Sequence, residues 1–281
     1  MEYIKCILCD SDFFLNDYIS VVDRFDENYR YQLQKCRCGL VMLNPRPGCN
    51  DIAEYYENIN YLPHGRKKNV LGVIYKILQR VNNRFKSRII ENAFIGKKRV
   101  LLDFGSGDGQ FSKYMSTKGW DSYSYDPFFR SSNQNELEGL QKSKKFNVIT
   151  MFHSLEHIHD IDSTFLTINN VLDKKGLLVI AVPNHNAYER NILREKWIAY
   201  DAPRHLLHFN FETMRLLLDK YNFEIKFYKP IYLDTFHNII MSHKNKILSS
   251  MRILIQISVS LVGIFWNNKR ASSLIFVCKK K

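Results

Sequence analysis

The sequence predicts an α/β fold built around a doubly wound, largely parallel sheet, with a small cysteine-bearing module in front of it. Three observations carry this expectation. Arg99 to Phe111 runs from an apolar stretch at Val100 to Leu102 through an acid, Asp103, into alternating glycines at Gly105, Gly107 and Gly109. That is the pattern of a buried parallel strand entering a tight turn and then a helix. A second acid, Asp126, closes the next strand-like run, where a doubly wound fold presents a carboxylate to a ribose diol. Two further apolar runs, 146–152 and 176–183, flank a helical pattern over 161–172, the alternation of strand and helix that such a sheet requires.

The 281 residues leave room for one such domain and a small appended module. With 45% hydrophobic and 25% charged residues, a core can be buried, which excludes a disordered chain. A net charge of +13 favours anionic partners: nucleotide-linked substrates, RNA or a membrane surface. The other reading is a solvated basic face that serves solubility. Met1-Glu2-Tyr3-Ile4-Lys5 lacks a charged start followed by an apolar run, so a cytoplasmic protein with reduced cysteines is expected. Its six cysteines then suggest metal before disulfides.

Taken in order, the chain begins with Cys6-x-x-Cys9 and Cys36-x-Cys38-Gly39. Two cysteine pairs on short knuckles supply the four soft ligands of a tetrahedral zinc site, which would staple a module too small for its own core. The second knuckle is a residue shorter than the usual C-x-x-C. Residues 1–48 are assigned to this zinc-knuckle module and 49–68 to a linker. The prolines of Asn44-Pro-Arg-Pro47 make a rigid exit. Tyr55, Tyr56 and Tyr61 either line a substrate pocket, Tyr56 being the candidate contact, or pack a junction. From Asn69 to Phe94, apolar residues at helical spacing alternate with Lys76, Arg80, Arg84, Lys86 and Arg88, an amphipathic helix with either a solvated or an anion-binding basic face.

The glycine turn needs positive φ and no Cβ if its backbone is to lie against a ligand. Its spacing, G-x-G-x-G directly after an acid, differs from the dinucleotide G-x-G-x-x-G. This stretch resembles the first motif of class I S-adenosylmethionine-dependent methyltransferases. After it come a helix over 111–118 and a strand over 120–126 ending in Asp126-Pro127, a form the ribose-binding acid takes in that family. The segment 128–145 is short and polar, with space for a reduced element only. His153-Ser-Leu-Glu-His157, after the strand at 146–152, resembles the family's fourth-strand motif, and Glu156 and His157 then stand in the crevice at the carboxyl end of that strand. His153, His157, His159 and Glu156 are not read as a metal site, because their loop offers no second cluster to oppose them.

Asp173-Lys-Lys-Gly176 reads as the C-cap of the helix before it. In Trp197 to Phe209, Asp201, Arg204, His205 and His208 crowd into a short span, and this clustering of proton-moving and anion-holding groups marks a candidate active-site loop. Asn210 is the N-cap of a helix over 211–221, and strands over 224–233 and 273–279 complete the sheet. A helical insertion occupies about 240–270. Within it, 247–266 is nearly all apolar, with Ser249, Arg252, Gln256, Ser260 and Gly263 in one narrow stripe, a helix lying on protein or on a membrane surface.

The sequence also resembles zinc-knuckle methyltransferases of bacteria that modify sugars, polysaccharide precursors and related metabolites, through Gly39 to Pro47, Tyr55-Tyr56 and Pro203-Arg-His-Leu-Leu-His-Phe209. The resemblance implies a Rossmann-like, seven-stranded class I methyltransferase sheet over 69–281, last strand antiparallel. It implies S-adenosylmethionine against Asp103, Gly105, Ser106, Gly107, Gly109, Phe111, Asp126 and Pro127, with amides of the glycine loop at its methionine portion and Phe152, His153, Ser154 and Leu155 flanking the adenine and methyl region. Zinc falls to Cys6, Cys9, Cys36 and Cys38. His205 is the expected general base, His157 the alternative, and Tyr56, Glu156, Arg204 and His208 the expected acceptor contacts. The acceptor is expected to be a small anionic molecule, a nucleotide- or lipid-linked sugar or a polysaccharide intermediate. RNA methylation and a non-catalytic cofactor-binding scaffold are the alternatives, and peripheral contact with the inner face of a membrane stays open.

Overall fold

Two sheets organise the chain, and the computed structural model describes them over residues 1–26, 28–56, 70–126, 144–243 and 250–281. The smaller sheet is antiparallel and joins β1 (Phe14–Val22), β2 (Arg30–Cys36), β3 (Val41–Leu43) and, from far along the chain, β8 (Leu207–His208). The larger sheet contains β4 (Val100–Phe104), β5 (Asp121–Tyr125), β6 (Phe146–Phe152), β7 (Leu172–Pro183), β9 (Phe223–Pro230) and β10 (Ser273–Lys280), in the order β5-β4-β6-β7-β10-β9. The first four strands of that order are mutually parallel, and β10 runs antiparallel to both its neighbours. This is a mixed, Rossmann-like α/β sheet with its last strand antiparallel. Where seven strands are expected, six occur among the described residues, and the place of the reduced element lies mostly at 127–143, outside them.

Every residue of β4 is buried, as a parallel strand covered on both faces should be. The helices that cover the sheet are α1 (Val70–Ala93), α2 (Gln110–Ser116), α3 (Ile161–Val171), α4 (Tyr188–Leu193), α5 (Phe211–Lys220), α6 (Tyr232–Met241) and α7 (Ser250–Trp266). Helix α5 begins in a capping box: Asn210 accepts from the Thr213 amide while Thr213 accepts from the Asn210 amide. That arrangement satisfies two otherwise orphaned donors.

Gly176 does not cap α3. The helix ends on Leu172 in extended backbone, and β7 starts there at once. Phe146 pairs with Leu172 but Val148 with Leu177, so the Asp173–Gly176 stretch bulges out of the ladder. A Cβ on Gly176 would meet Leu172 Cδ1 at 2.6 Å, which is why glycine stands there.

The two sheets share one core. Cys6, Leu33 and Met42 of the N-terminal part belong to the same buried cluster as Leu178, Leu206 and Phe276. Strand β8 ties the loop around His205 to β3 through the Val41–His208 and Met42–Leu207 pairs.

Candidate active site

The glycine loop leaves the carboxyl end of β4. Its three glycines take φ of +76°, +55° and +71°, a region that costs other residues strain. At Gly105 space forbids a side chain as well, because a Cβ would come 2.2 Å from Ser154 Cβ. The Ser154 hydroxyl donates to Phe104 O at 3.0 Å, pinning the loop after β6 against the loop after β4.

The amides expected at the ligand are engaged inside the protein. Those of Gly105 and Ser106 donate to Tyr125 O at 2.7 and 3.1 Å, that of Gly109 to Ser106 O at 3.0 Å, and that of Gly107 to Asp126 Oδ2 at 2.6 Å. What the loop offers a ligand is therefore backbone without Cβ atoms, held at the correct height by Asp126. Pro127 lies outside the described residues.

Beside the loop a cleft of about 460 Å³ opens between α1 and α6, lined among others by Asn82, Lys86, Asp103, Phe111, Phe152 and Asp234. Phe111 stands edge-on to Phe152, ring centroids 4.9 Å apart, and the Lys86 ammonium sits 4.3 Å from the Phe152 centroid. Burial raises the Asp103 carboxyl to about 6 against the opposing pull of the Thr150 hydroxyl, which donates to it at 2.7 Å, and of Lys86. Burial also lowers Lys86, with Asp234 and Asp103 acting the other way. A cation, two carboxylates and an aromatic pair at one end of a glycine loop suit a ligand that carries both an ammonium and a carboxylate group.

Deeper in, Asp234, His153, Glu156 and His205 form a chain. His153 Nε2 lies 3.2 Å from Asp234 Oδ2, His153 Nδ1 lies 3.6 Å from Glu156 Oε1, and His205 Nε2 lies 4.0 Å from the same oxygen. Burial alone would lower His153, but the Asp234 charge and then Glu156 lift it to about 9, so it is an imidazolium at neutral pH. Burial would raise Glu156, yet His153 and His205 hold it below its ordinary value. Glu156 is 1% exposed, and neither carboxylate oxygen has a hydrogen-bond partner among the described residues. An ionised carboxylate without hydrogen bonds in a buried site is a costly arrangement, and it leaves acceptor positions for an incoming donor.

His205 donates from Nδ1 to Ala199 O at 2.8 Å, which leaves Nε2 as the lone-pair nitrogen of the neutral ring, on the side of Glu156. His157 packs edge-on to it, centroids 4.6 Å apart. The N–H at His157 Nδ1 is shared between Arg204 O at 2.9 Å and the Tyr56 hydroxyl at 2.8 Å. Burial and the neighbouring His205 lower His157 to about 4, so it stays neutral. Glu156, His157 and His205 also place one donor atom each within 4.8 Å of one another, so the opposing group missing from the loop's sequence comes from the loop around His205. His159 turns away to Pro47 O, 3.1 Å from its Nε2.

Three expected contacts go elsewhere. Arg204 is 1% exposed, its guanidinium 3.0 Å from Asp201 and 3.6 Å from Asp23, so it braces the loop and cannot hold an acceptor. His208 is 4% exposed, among His185 and Tyr200, where burial drives its protonation far down. Leu155 is fully buried in the core, so only its backbone can face a ligand. Conversely, Asp234 escaped the sequence reading, being one acid on a distant helix, whereas Lys86, read there as part of the basic face of α1, is buried in line with Ile89 and Ile90.

In the N-terminal module, Cys6 Sγ lies 3.5 Å from Cys38 Sγ, Cys9 Sγ lies 3.5 Å from Cys36 Sγ, and all four sulfurs fall within 4.8 Å. Zn–S bonds of about 2.3 Å put tetrahedral sulfurs about 3.8 Å apart, so the four fit one zinc ion. The short C-x-C knuckle reaches because Gly39, at φ +95°, folds it back, its amide bonding Cys36 O at 2.9 Å. Burial pushes the Cys6 and Cys38 thiols up, opposed by the amides of Leu8 and Cys9 at the Cys6 sulfur and of Leu40 at Cys38, donors that favour thiolates.

Residues 76–226 match the sequence profile of a family described as a methyltransferase domain. No curated protein matches the chain. Among solved structures, a SAM-dependent methyltransferase from Archaeoglobus fulgidus is 18% identical over 75% of this chain and 100% of its own, with a TM-score of 0.46. The [4+2]-cyclase SpnF is 13% identical over 84% and 98%, with a TM-score of 0.49. Phosphoethanolamine N-methyltransferase 2 of Haemonchus contortus, in complex with phosphomonomethylethanolamine and S-adenosylhomocysteine, is 13% identical over 94% and 71%, with a TM-score of 0.48.

Proposed function

Since the chain belongs to the methyltransferase-domain family, we propose that it transfers the methyl group of S-adenosylmethionine to a small anionic acceptor, with His205 as general base. When bound, S-adenosylmethionine supplies a sulfonium-activated methyl group, so the protein has chiefly to align the acceptor and take up its proton. The observation that carries this reading is the Asp234–His153–Glu156–His205 chain, which leads from the cofactor-sized cleft to an imidazole with its Nε2 lone pair available.

In this reading Lys86 pairs with the methionine carboxylate, Asp103 and the bare glycine backbone receive its ammonium end, and Asp126 holds the ribose. The acceptor's donor group lies between His205 and the unpartnered oxygens of Glu156. As His205 takes the proton, the Glu156 charge stabilises the imidazolium that results. The net charge of +13 favours an acceptor that is itself anionic, such as a nucleotide sugar or a surface-polysaccharide intermediate. Zinc at the four cysteines has a structural part. His205→Asn should keep cofactor affinity and lose turnover by roughly 10²-fold or more, measured by calorimetry and by product formation. Full turnover in that variant would exclude His205 as the base.

The orphaned Glu156 oxygens favour one second reading, a divalent cation held by Glu156, His157 and His205. In that case turnover depends on an added transition metal such as manganese, iron or zinc, whereas a base mechanism is indifferent to them.

A further inference from the structure

Helix α7 packs one side on the domain and turns a row of large apolar residues to solvent. On the inner side Ile253, Ser260 and Ile264 are buried, and Gly263 lies so close to Tyr188 that a Cβ would meet its Cδ2 at 2.5 Å. On the outer side Met251, Leu254, Ile255, Val262, Phe265 and Trp266 are 55 to 84% exposed. Their three- and four-residue steps draw one stripe along a helix about 25 Å long. The helix is thus already packed, and the outer stripe contributes nothing to the core. A contiguous apolar face of this kind marks an interaction surface.

Charge says what covers it. From Thr235 to Arg270, 36 residues hold five lysines and arginines and no aspartate or glutamate. Arg252 is exposed in the first turn of the helix, and Lys269 and Arg270 follow its end, Lys269 paired with Glu212 at 3.3 Å. A groove of about 510 Å³ runs along the same helix, lined by Val259, Val262, Trp266, Tyr188 and Arg270. The Arg270 guanidinium lies 4.9 Å from the Tyr188 ring centroid, and its Nε has no hydrogen-bond partner among the described residues. A guanidinium at the rim of an apolar groove matches a lipid, with an anionic headgroup above and an acyl chain below. A second copy of this chain would instead set one predominantly basic face against another.

We infer that the outer face of α7 docks this protein on an anionic lipid bilayer, the helix lying in the interface plane with Phe265 and Trp266 among the acyl chains and Arg252 and Arg270 at the headgroup phosphates. No helix among the described residues is long and apolar enough to cross a membrane, so the contact is peripheral. Helix α7 packs against α6, whose other side lines the cofactor cleft; docking would hold the cleft within one helix of the lipid surface.

The test is flotation of the full-length protein with phosphatidylcholine vesicles and with vesicles of equal parts phosphatidylcholine and phosphatidylglycerol. The variant is Leu254→Ser/Phe265→Ser/Trp266→Ser, all three positions being exposed, and light scattering gives the mass of both proteins in solution. The wild type should float with the anionic vesicles and stay behind with neutral ones, and the variant should lose roughly tenfold or more of the anionic partitioning. Equal partitioning of variant and wild type would overturn the inference, as would binding indifferent to phosphatidylglycerol. A wild-type dimer that ignores vesicles and falls to monomer in the variant would assign the face to a second copy instead. S-adenosylmethionine affinity, unchanged in the variant, keeps this outcome separate from the fate of the methyl-transfer reading.

Discussion

His153 is the residue on which two halves of the site meet. It sits at φ +54° directly after β6, and only from there can its two ring nitrogens reach Asp234 on one side and Glu156 on the other. Its folded pKa of about 9 lies above its ordinary 6.5. The stability it contributes is therefore complete below about pH 6.5 and is lost as pH rises through about 9. His157 has the opposite sign: held neutral in the fold at about 4, it contributes stability above its ordinary value that is lost as pH falls below about 6.5. Urea unfolding across this range should show a maximum near neutrality, and His153→Gln should remove the alkaline slope while keeping the acid one. An unchanged alkaline slope would mean that His153 is not the group bridging the two carboxylates. The glycines and Asp126 were legible from sequence because backbone geometry at a ligand tolerates few residue types. The burial of Arg204 was not legible, because besides the neighbouring Asp201 it pairs with Asp23, 181 positions away, and no local pattern announces that second pair.

At the scale of elements, β8 is the smallest strand and the most consequential. Two residues, Leu207 and His208, fasten the loop carrying His205 to the cysteine-bearing sheet. A metal that stiffens the module therefore stiffens the loop as well. Replacing Cys36 by serine should remove one equivalent of bound zinc, lower the thermal midpoint and reduce turnover along with it, as metal analysis and calorimetry on the same preparation would report. Normal turnover in a zinc-free variant would uncouple module from site. The cysteine spacing was legible in the sequence, but its connection to the loop around His205 was not, since a two-residue strand has no periodicity to detect. Helix α7 shows the same limit: the polar stripe can be read, but which side faces the domain is decided by Tyr188 against Gly263.

For the whole molecule, the shared core makes the module and the sheet one body, and the cleft beside the glycine loop has α1 and α6 on one side and the histidine chain behind. The sheet could be foretold because parallel strands leave continuous apolar runs. The number of strands could not, since the polar stretch after Asp126 carries no such run. Everything proposed for the site converges on one event, the passage of a methyl group to a small anionic acceptor. The direct measurement is to incubate the protein and methyl-tritiated S-adenosylmethionine with nucleotide sugars, lipid-linked glycans and RNA in parallel, and to follow the label. Label in a sugar-containing fraction that disappears with His205→Asn is the predicted result; label in RNA alone, or in no fraction despite tight cofactor binding, would contradict it.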